Sequence, residues 1–426
     1  MYYMKSLQIT VCLLILSLSI VAQKNCGYQE YFNVRNTSSE DFLIRKNAYE
    51  AKIQEQIHID KSTVRKDNMV ITIPVVVHVV YRTSVENISD EQILSQIPVL
   101  NRDFRRRNSD TLTSTSPFYN LVGDAEIEFC LAKFDPFGNP TTGITRTYTT
   151  TTSYNVSSNV ENVKNSGTGG KDNWDPTRYL NIWVCNLTGG VLGFSAFPWD
   201  LSTDASLDGI VIGYKYFGTT GAVSAPIDMG RTLNHEIGHW LGLYHVWGDA
   251  TCGNDFVADT PPHVSENYGC PTFPHRPNNS CGSNSSGELY MNYMDYVDDD
   301  CMNMFTKDQI TRMRANINSL RNGIITQVAC TSTSGFENIA VNHRFTISPN
   351  PSRGAEVELY FGPDILREQE EITIEIMDMS GKKFFQDVKE LHSKINVEIS
   401  GLAAGAYIVK VTAKDWHALS RLTVVK

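Results

Sequence analysis

"HEIGHWLGLYH", residues 235–245, holds three histidines, one glutamate and two glycines in eleven positions. His235 and His239 are four apart, so on a helix they share a face and their imidazoles can converge on one ion. Glu236 lies beside that face. His245 is ten residues beyond His235, and a continuous helix would carry it about 15 Å along the axis, out of reach. Gly242 lies three residues after His239, where it can adopt positive φ and end the helix. The stretch therefore predicts a helix that stops at a glycine and a chain that turns back with a third imidazole. Chance histidines on a surface helix would not need that glycine.

The chemistry follows from the ligand set. Three neutral histidines leave a Zn(2+) ion its full charge and an open fourth position for water. The ion brings the water's pKa near neutrality and polarises a carbonyl. Glu236 is placed to act as general base and then to pass the proton to a leaving amine.

Working outward, the motif helix follows strand-like segments. "ITIPVVVHVVYR" (71–82) is a buried strand by its β-branched run. "AEIEFCLAKF", "YLNIWVCNL" and "GIVIGYKYF" alternate or run apolar in the same way. "SDEQILSQIPVLNRDFRRRN" opens with Ser89 as an N-cap and carries Ile93, Ile97 and Leu100 on one helical face. "GGVLGFSAFPWD" (189–200) reads as a short strand at a sheet edge. The fold class expected is α+β/α/β: a twisted mixed sheet with an active-site helix, then a loop-rich lower subdomain. Gly, Pro, Asn and Asp dominate from His245 to Asn303. Cys252, Cys270, Cys281 and Cys301 fall within this region and suggest two disulfides, with three pairings open. "TKDQITRMRANINSLR" restores a helix with Thr306 as its N-cap.

The 426 residues suffice for two or three domains. A net charge of −10 leaves no basic footprint, so no nucleic-acid partner is expected. Lys5 and the apolar run "VCLLILSLSIVA", ending at Ala22, read as an export signal too short to span a bilayer comfortably. No later segment approaches a transmembrane length, so no permanent membrane span is expected. Residues 23–66 are polar and contain the helical-looking "EDFLIRKNAYEAKIQEQIHI". They end at the basic Arg65 and Lys66, which offer a site for proteolysis. "CTSTSG" reads as a linker. From Arg344 the chain is strands and turns, a small all-β sandwich of roughly eighty residues.

"HEIGHWLGLYH" fits the metzincin signature H-E-x-x-H-x-x-G-x-x-H. With "ADTPP" and "NYMDYVDDDCMNMFT" downstream, roughly residues 70–325 resemble the pappalysin family, in particular its small ulilysin-like members. The resemblance implies a metalloendopeptidase acting on protein or peptide substrates. It implies that Met294 forms the Met-turn under the zinc and that Tyr296 hydrogen-bonds the tetrahedral intermediate. It implies the pairings Cys252–Cys281 and Cys270–Cys301. It implies a calcium segment around Asp249, Asp255, Asp259 and Thr260, which offer hard oxygen ligands for Ca(2+). Asp299, five residues after Met294, matches the position lining the S1′ pocket, where a carboxylate favours Arg or Lys. "GGVLGFSAFP" becomes the upper-rim strand, along which a substrate lies antiparallel. Cys26, in "KNCGYQ", resembles the cysteine–glycine of prosegments that block the zinc as a cysteine switch.

"ISPNPSRG", "DMSGKKF" and "LAAGAYIVKV", across about residues 343–426, resemble the type IX secretion sorting domain. That implies export by the type IX secretion machinery through the periplasm of a Gram-negative cell, to its surface or medium. The expected organisation is a signal peptide (1–22), prosegment (23–66), catalytic domain (67–330), linker (331–342) and sorting domain (343–426). The rival reading is a zinc-containing surface adhesin or binding module without turnover. The intact His235, Glu236, His239, His245 and Tyr296 argue against it.

Overall fold

The computed structural model describes residues 25–35, 40–62, 70–202, 204–277, 281–282, 285–325, 330, 345–361, 370–378, 382–413 and 417–425. The expected export signal, the basic bond at residues 65–66 and the linker lie outside the described residues.

The sheet is built around β1 (Ile71–Tyr81). Parallel to its first half runs β2 (Ile127–Leu131), and parallel to its second half β3 (Ile144–Tyr148). A two-residue strand β4 (Tyr154–Asn155) pairs outside the sheet with β6 (Leu187–Thr188). On the other side of β1 lies β5 (Leu180–Cys185), followed by β8 (Ile210–Gly213) and the rim strand β7 (Gly193–Ser195). β7 is antiparallel to β8, whereas β5 and β8 run parallel to β1. Both faces of β1 are covered, which is why "PVVVHVV" is continuously apolar rather than alternating. His78 sits inside that run. Its Nδ1 meets Thr145 Oγ1 at 2.8 Å and its Nε2 meets Asn181 Oδ1 at 3.0 Å.

Two helices, α1 (Tyr28–Arg35) and α2 (Glu40–Ser62), precede the sheet in the chain. Helix α3 (Asp90–Phe104) starts where Ser89 Oγ accepts the Gln92 amide at 3.2 Å, as the sequence predicts. Gln96 on α3 donates to Gly230 O at 3.0 Å and so fixes the start of α4 (Arg231–Trp240), which is buried along its whole length. Helix α5 (Lys307–Leu320) opens with a Thr306–Gln309 capping box, and α6 (Asn322–Ile325) follows. Helix α2 packs against α5.

Disulfides Cys252–Cys281 and Cys270–Cys301 form within the loop-rich region, the pairing that the resemblance implied. That region has few apolar residues of its own, so cross-links substitute for a core. A third bridge, Cys130–Cys330, ties β2 to the end of the domain. Cys26 and Cys185 are buried thiols.

The named strands of the C-terminal unit pair antiparallel. One sheet comprises β9 (Phe345–Ser348), β10 (Glu356–Phe361) and β13 (Lys394–Glu398). The other has β12 (Lys383–Glu390), β11 (Glu371–Asp378), β14 (Gly405–Thr412) and β15 (His417–Val424). Alternate residues such as Val357, Leu359, Ile372, Ile374, Val409 and Val411 form a single core between them. The architecture is thus a metzincin-like mixed α/β domain and an all-β sandwich.

Candidate active site

Helix α4 ends as the opening stretch predicts. Gly242 has φ +88°, its amide donates to His239 O at 2.8 Å, and the Leu243 amide donates to Gly238 O at 2.9 Å. This is the paired closure of a Schellman motif, and its left-handed residue suits glycine. The turn brings His245 back beside the helix. His239 Nε2 lies 3.1 Å from His235 Nε2 and 3.1 Å from His245 Nε2.

Each histidine is oriented through its other nitrogen. His235 Nδ1 donates to Tyr293 O at 2.7 Å and His239 Nδ1 to Leu243 O at 2.8 Å. His245 Nδ1 contacts Asp249 Oδ1 at 2.5 Å, and Trp247 stacks flat on its ring. Two carbonyls and a carboxylate accept, so the Nδ1 atoms carry the protons and three Nε2 lone pairs face one another in a buried space. Burial and then the neighbouring His245 hold His239 down to a pKa of about 3, so protonation does not relieve the crowding. Lone pairs so arranged fit a cation, and the donor set is that of zinc.

A fourth donor completes the cluster. Cys26 Sγ and the three imidazole nitrogens lie within 4.8 Å of one another. The sulfur is 3.5 Å from Glu236 Oε2. Burial first, and Glu236 second, push the Cys26 thiol well above its ordinary range, whereas a cation held by the histidines favours the thiolate. Tyr28 stacks on His239 with ring centres 4.6 Å apart. The segment around Cys26 lies along β7: Gly27 N donates to Gly193 O at 2.8 Å and Leu192 N to Asn25 O at 2.9 Å. Cys26 bridges to Gly193 in the parallel sense.

Met294 lies beneath the helix, fully buried, and an added Cβ on Gly238 would overlap its sulfur. That close approach explains a glycine inside the motif helix, where it otherwise weakens helicity. Tyr296 Oη is 3.2 Å from His245 Nε2 and 3.4 Å from Cys26 O. Burial is the main reason its phenol titrates well above the usual range, so it stays a donor.

The remaining expected residues are distributed differently. Asp299 is fully buried, and its Oδ2 accepts the Met229 and Arg231 amides at 3.0 and 3.3 Å, at the start of α4. Asp249 stands apart from the expected calcium segment, with its Oδ1 on His245. Asp255 Oδ2 accepts from Thr260 Oγ1 at 2.7 Å, and Asp259 Oδ2 accepts the Asp308 amide at 3.0 Å. Among the described residues, the three aspartates do not bring their carboxylates together. Sequence reasoning missed the Asp249–His245 contact, although the i,i+4 spacing was a usable signal. It also missed the Tyr28 stack.

Residues 164–318 match the family described as Pregnancy-associated plasma protein-A, and residues 346–425 match the Secretion system C-terminal sorting domain. "Extracellular metalloprotease 1" of Coccidioides posadasii is 38% identical over 148 residues, which are 34% of this chain and 51% of that protein. The chain thus spans about half the length of the curated relatives it matches. Among solved structures, mature mirolysin of Tannerella forsythia with a cleaved peptide is 50% identical at a TM-score of 0.58. That likeness covers 61% of this chain and 97% of the other. A promirolysin of the same organism, carrying a glutamate-to-alanine substitution, is 45% identical at a TM-score of 0.63, covering 69% and 95%. The chain belongs to the pregnancy-associated plasma protein-A family of metallopeptidases, the pappalysins, and carries a secretion sorting domain.

Proposed function

We propose that the chain is a secreted, zinc-dependent endopeptidase made as a latent zymogen. The observation that carries this reading is the buried convergence of His235, His239 and His245 with Cys26. The homologous mirolysin that holds a cleaved peptide supports peptide hydrolysis. The three histidines would hold the zinc, which when bound supplies Lewis acidity toward a substrate carbonyl and toward water.

The chain's own residues account for the rest. Glu236 takes a proton from the attacking water and delivers it to the leaving amine. Tyr296, a phenol kept protonated by burial, donates a hydrogen bond to the oxyanion. Strand β7 offers its edge to the substrate backbone, which in this reading runs antiparallel. The prosegment at residues 25–27 uses the same edge in the opposite, parallel sense. Its amide bonds are therefore presented in reverse, and Cys26 rather than a scissile carbonyl faces the histidines. Asp299, buried at the start of α4, sets a preference for Arg or Lys at P1′.

The proposed organisation is a prosegment over 23–66, a catalytic domain over 67–330 and a linker over 331–342. The sorting domain, 343–426, directs export by the type IX secretion machinery to the surface or medium of a Gram-negative cell. Among the described residues no helix is long and apolar enough to cross a membrane. A calcium ion would be held by Asp255, Asp259 and Thr260, with Asp249 left to His245. Calorimetric titration with Ca(2+) tests that set, and absence of heat discards it.

The decisive experiment pairs Glu236→Ala with zinc analysis. The variant should keep one zinc per chain and lose proteolysis of a peptide library. A variant that still cleaves overturns the reading, and the parent's P1′ profile tests Asp299, since a flat profile discards that role.

A further inference from the structure

The prosegment touches the catalytic domain at a second place, away from the histidines. Helix α2 brings Glu50 against Arg312 of α5, and both side chains are buried. The pairing is bidentate: Arg312 Nη1 donates to Glu50 Oε2 at 2.8 Å and Nη2 to Oε1 at 2.7 Å. Tyr244 Oη adds a third hydrogen bond to Glu50 Oε1 at 2.8 Å. Next to it, Tyr49 Oη donates to Asn316 Oδ1 at 2.6 Å, and its ring packs edge-on against Trp199. The guanidinium lies among the rings of Tyr49, Tyr244 and Phe256.

The pocket is built for a carboxylate. A planar, permanently charged fork meets a carboxylate in two parallel bonds within an aromatic surround. Among the described residues, the guanidinium's one hydrogen bond that does not involve the prosegment runs from Nε to Gly242 O, at 2.7 Å. Losing the Glu50 carboxylate while α2 stays in place would therefore leave a desolvated cation with one carbonyl partner, a costly state. None of Arg312, Tyr244 and Asn316 is among the four donors facing the zinc position. The pocket can thus hold its occupant whether or not Cys26 is engaged.

We propose that Arg312, Tyr244 and Asn316 form a carboxylate-binding exosite, occupied by Glu50 of α2, that keeps the prosegment bound after the chain is cut between α2 and β1. This rests on the reading of residues 23–66 as a removable prosegment. Latency then has two separable contacts, the thiol at the histidines and the carboxylate at Arg312. Release of the prosegment requires loss of both. The α2 helix is the occupant because its Tyr49–Glu50 pair fills both halves of the pocket.

The test uses the full chain in a Glu236→Ala background, which prevents self-digestion, with a site for a specific processing protease placed within residues 63–69. After cutting, gel filtration and dissociation kinetics measure how long the prosegment stays. Retention is expected in the parent and, weakened by loss of the thiol contact but still measurable, in Cys26→Ser. Glu50→Gln should weaken retention at least about 100-fold, as expected for a broken buried ion pair. Tyr49→Phe, which keeps the ring, should weaken it about tenfold. A synthetic peptide of residues 40–62 should compete with the parent prosegment, and the same peptide with Glu50→Gln should not. Equal retention of the parent and Glu50→Gln, or complete loss in Cys26→Ser alone, overturns the proposal. In a cut chain that keeps Glu236, proteolytic activity that appears only once the prosegment has dissociated reports separately on the prosegment reading.

Discussion

Gly242→Ala is the substitution whose cost can be worked out most directly. The backbone there has φ +88°, where an L-residue carries strain of roughly 1–2 kcal/mol. The added methyl would also sit 2.5 Å from Asn316 Nδ2 and overlap Tyr49 Oη, the hydroxyl that α2 presses into the bend. Such overpacking costs about 1–3 kcal/mol. The two effects sum to roughly 2–5 kcal/mol, or a melting temperature lower by about 5–15 °C for a domain of this size. Urea titration followed by tryptophan fluorescence measures the first figure and thermal unfolding the second. Because part of the cost is the clash with Tyr49, the loss should be smaller by about 0.5–2 kcal/mol in a Tyr49→Phe background. Zinc content should fall with stability, since the bend positions His245. A Gly242→Ala protein within about 0.5 kcal/mol of the parent would refute the argument that this glycine is required by conformation and space.

Three other outcomes are expected. Asp249→Asn weakens the hold on His245, so zinc affinity measured by competition with a chelator should drop about 10–100-fold, with the fold intact by circular dichroism. Tyr296→Phe should lower kcat by about 10²–10³ while KM and zinc content stay near the parent's, as for loss of one oxyanion donor. His78 is buried and neutral, and burial lowers its pKa from 6.5 to about 4. The unfolded chain therefore binds its proton first, and stability present above pH 6.5 is lost as pH falls toward 4, by roughly 3 kcal/mol in all. Urea titrations across that window should show His78→Gln with a flatter acid limb than the parent, and parallel limbs would count against this role.

Much of the sheet was legible because strands buried on both faces leave continuous β-branched runs, as in β1, β5 and β8. Ser89 and Thr306 announced α3 and α5 because capping needs a side-chain acceptor at a fixed position. β3 went unnoticed: "ITRTY" is polar and partly exposed, and becomes a strand by pairing with β1. The short α1 has no strong pattern of its own and is held by the site it occupies. Cys130–Cys330 joins residues 200 apart, a closure that no local spacing signals. The histidine triad was readable because a helix and its stop encode it within eleven residues. The carboxylate that orients His245 was read as a calcium ligand instead, because acidity alone does not say whether a side chain faces a metal ion or an imidazole N–H. Glu50 and Arg312 lie 262 residues apart and carried no signal at all.

The central claim is that Cys26 and the three histidines share one zinc ion in the latent chain. Zinc K-edge X-ray absorption on the intact protein tests it directly. The account predicts one sulfur neighbour at about 2.3 Å and three nitrogens at about 2.0–2.1 Å, with the sulfur lost once the prosegment is removed or in Cys26→Ser. A shell of nitrogen and oxygen only in the intact protein, or no stoichiometric zinc, would contradict it.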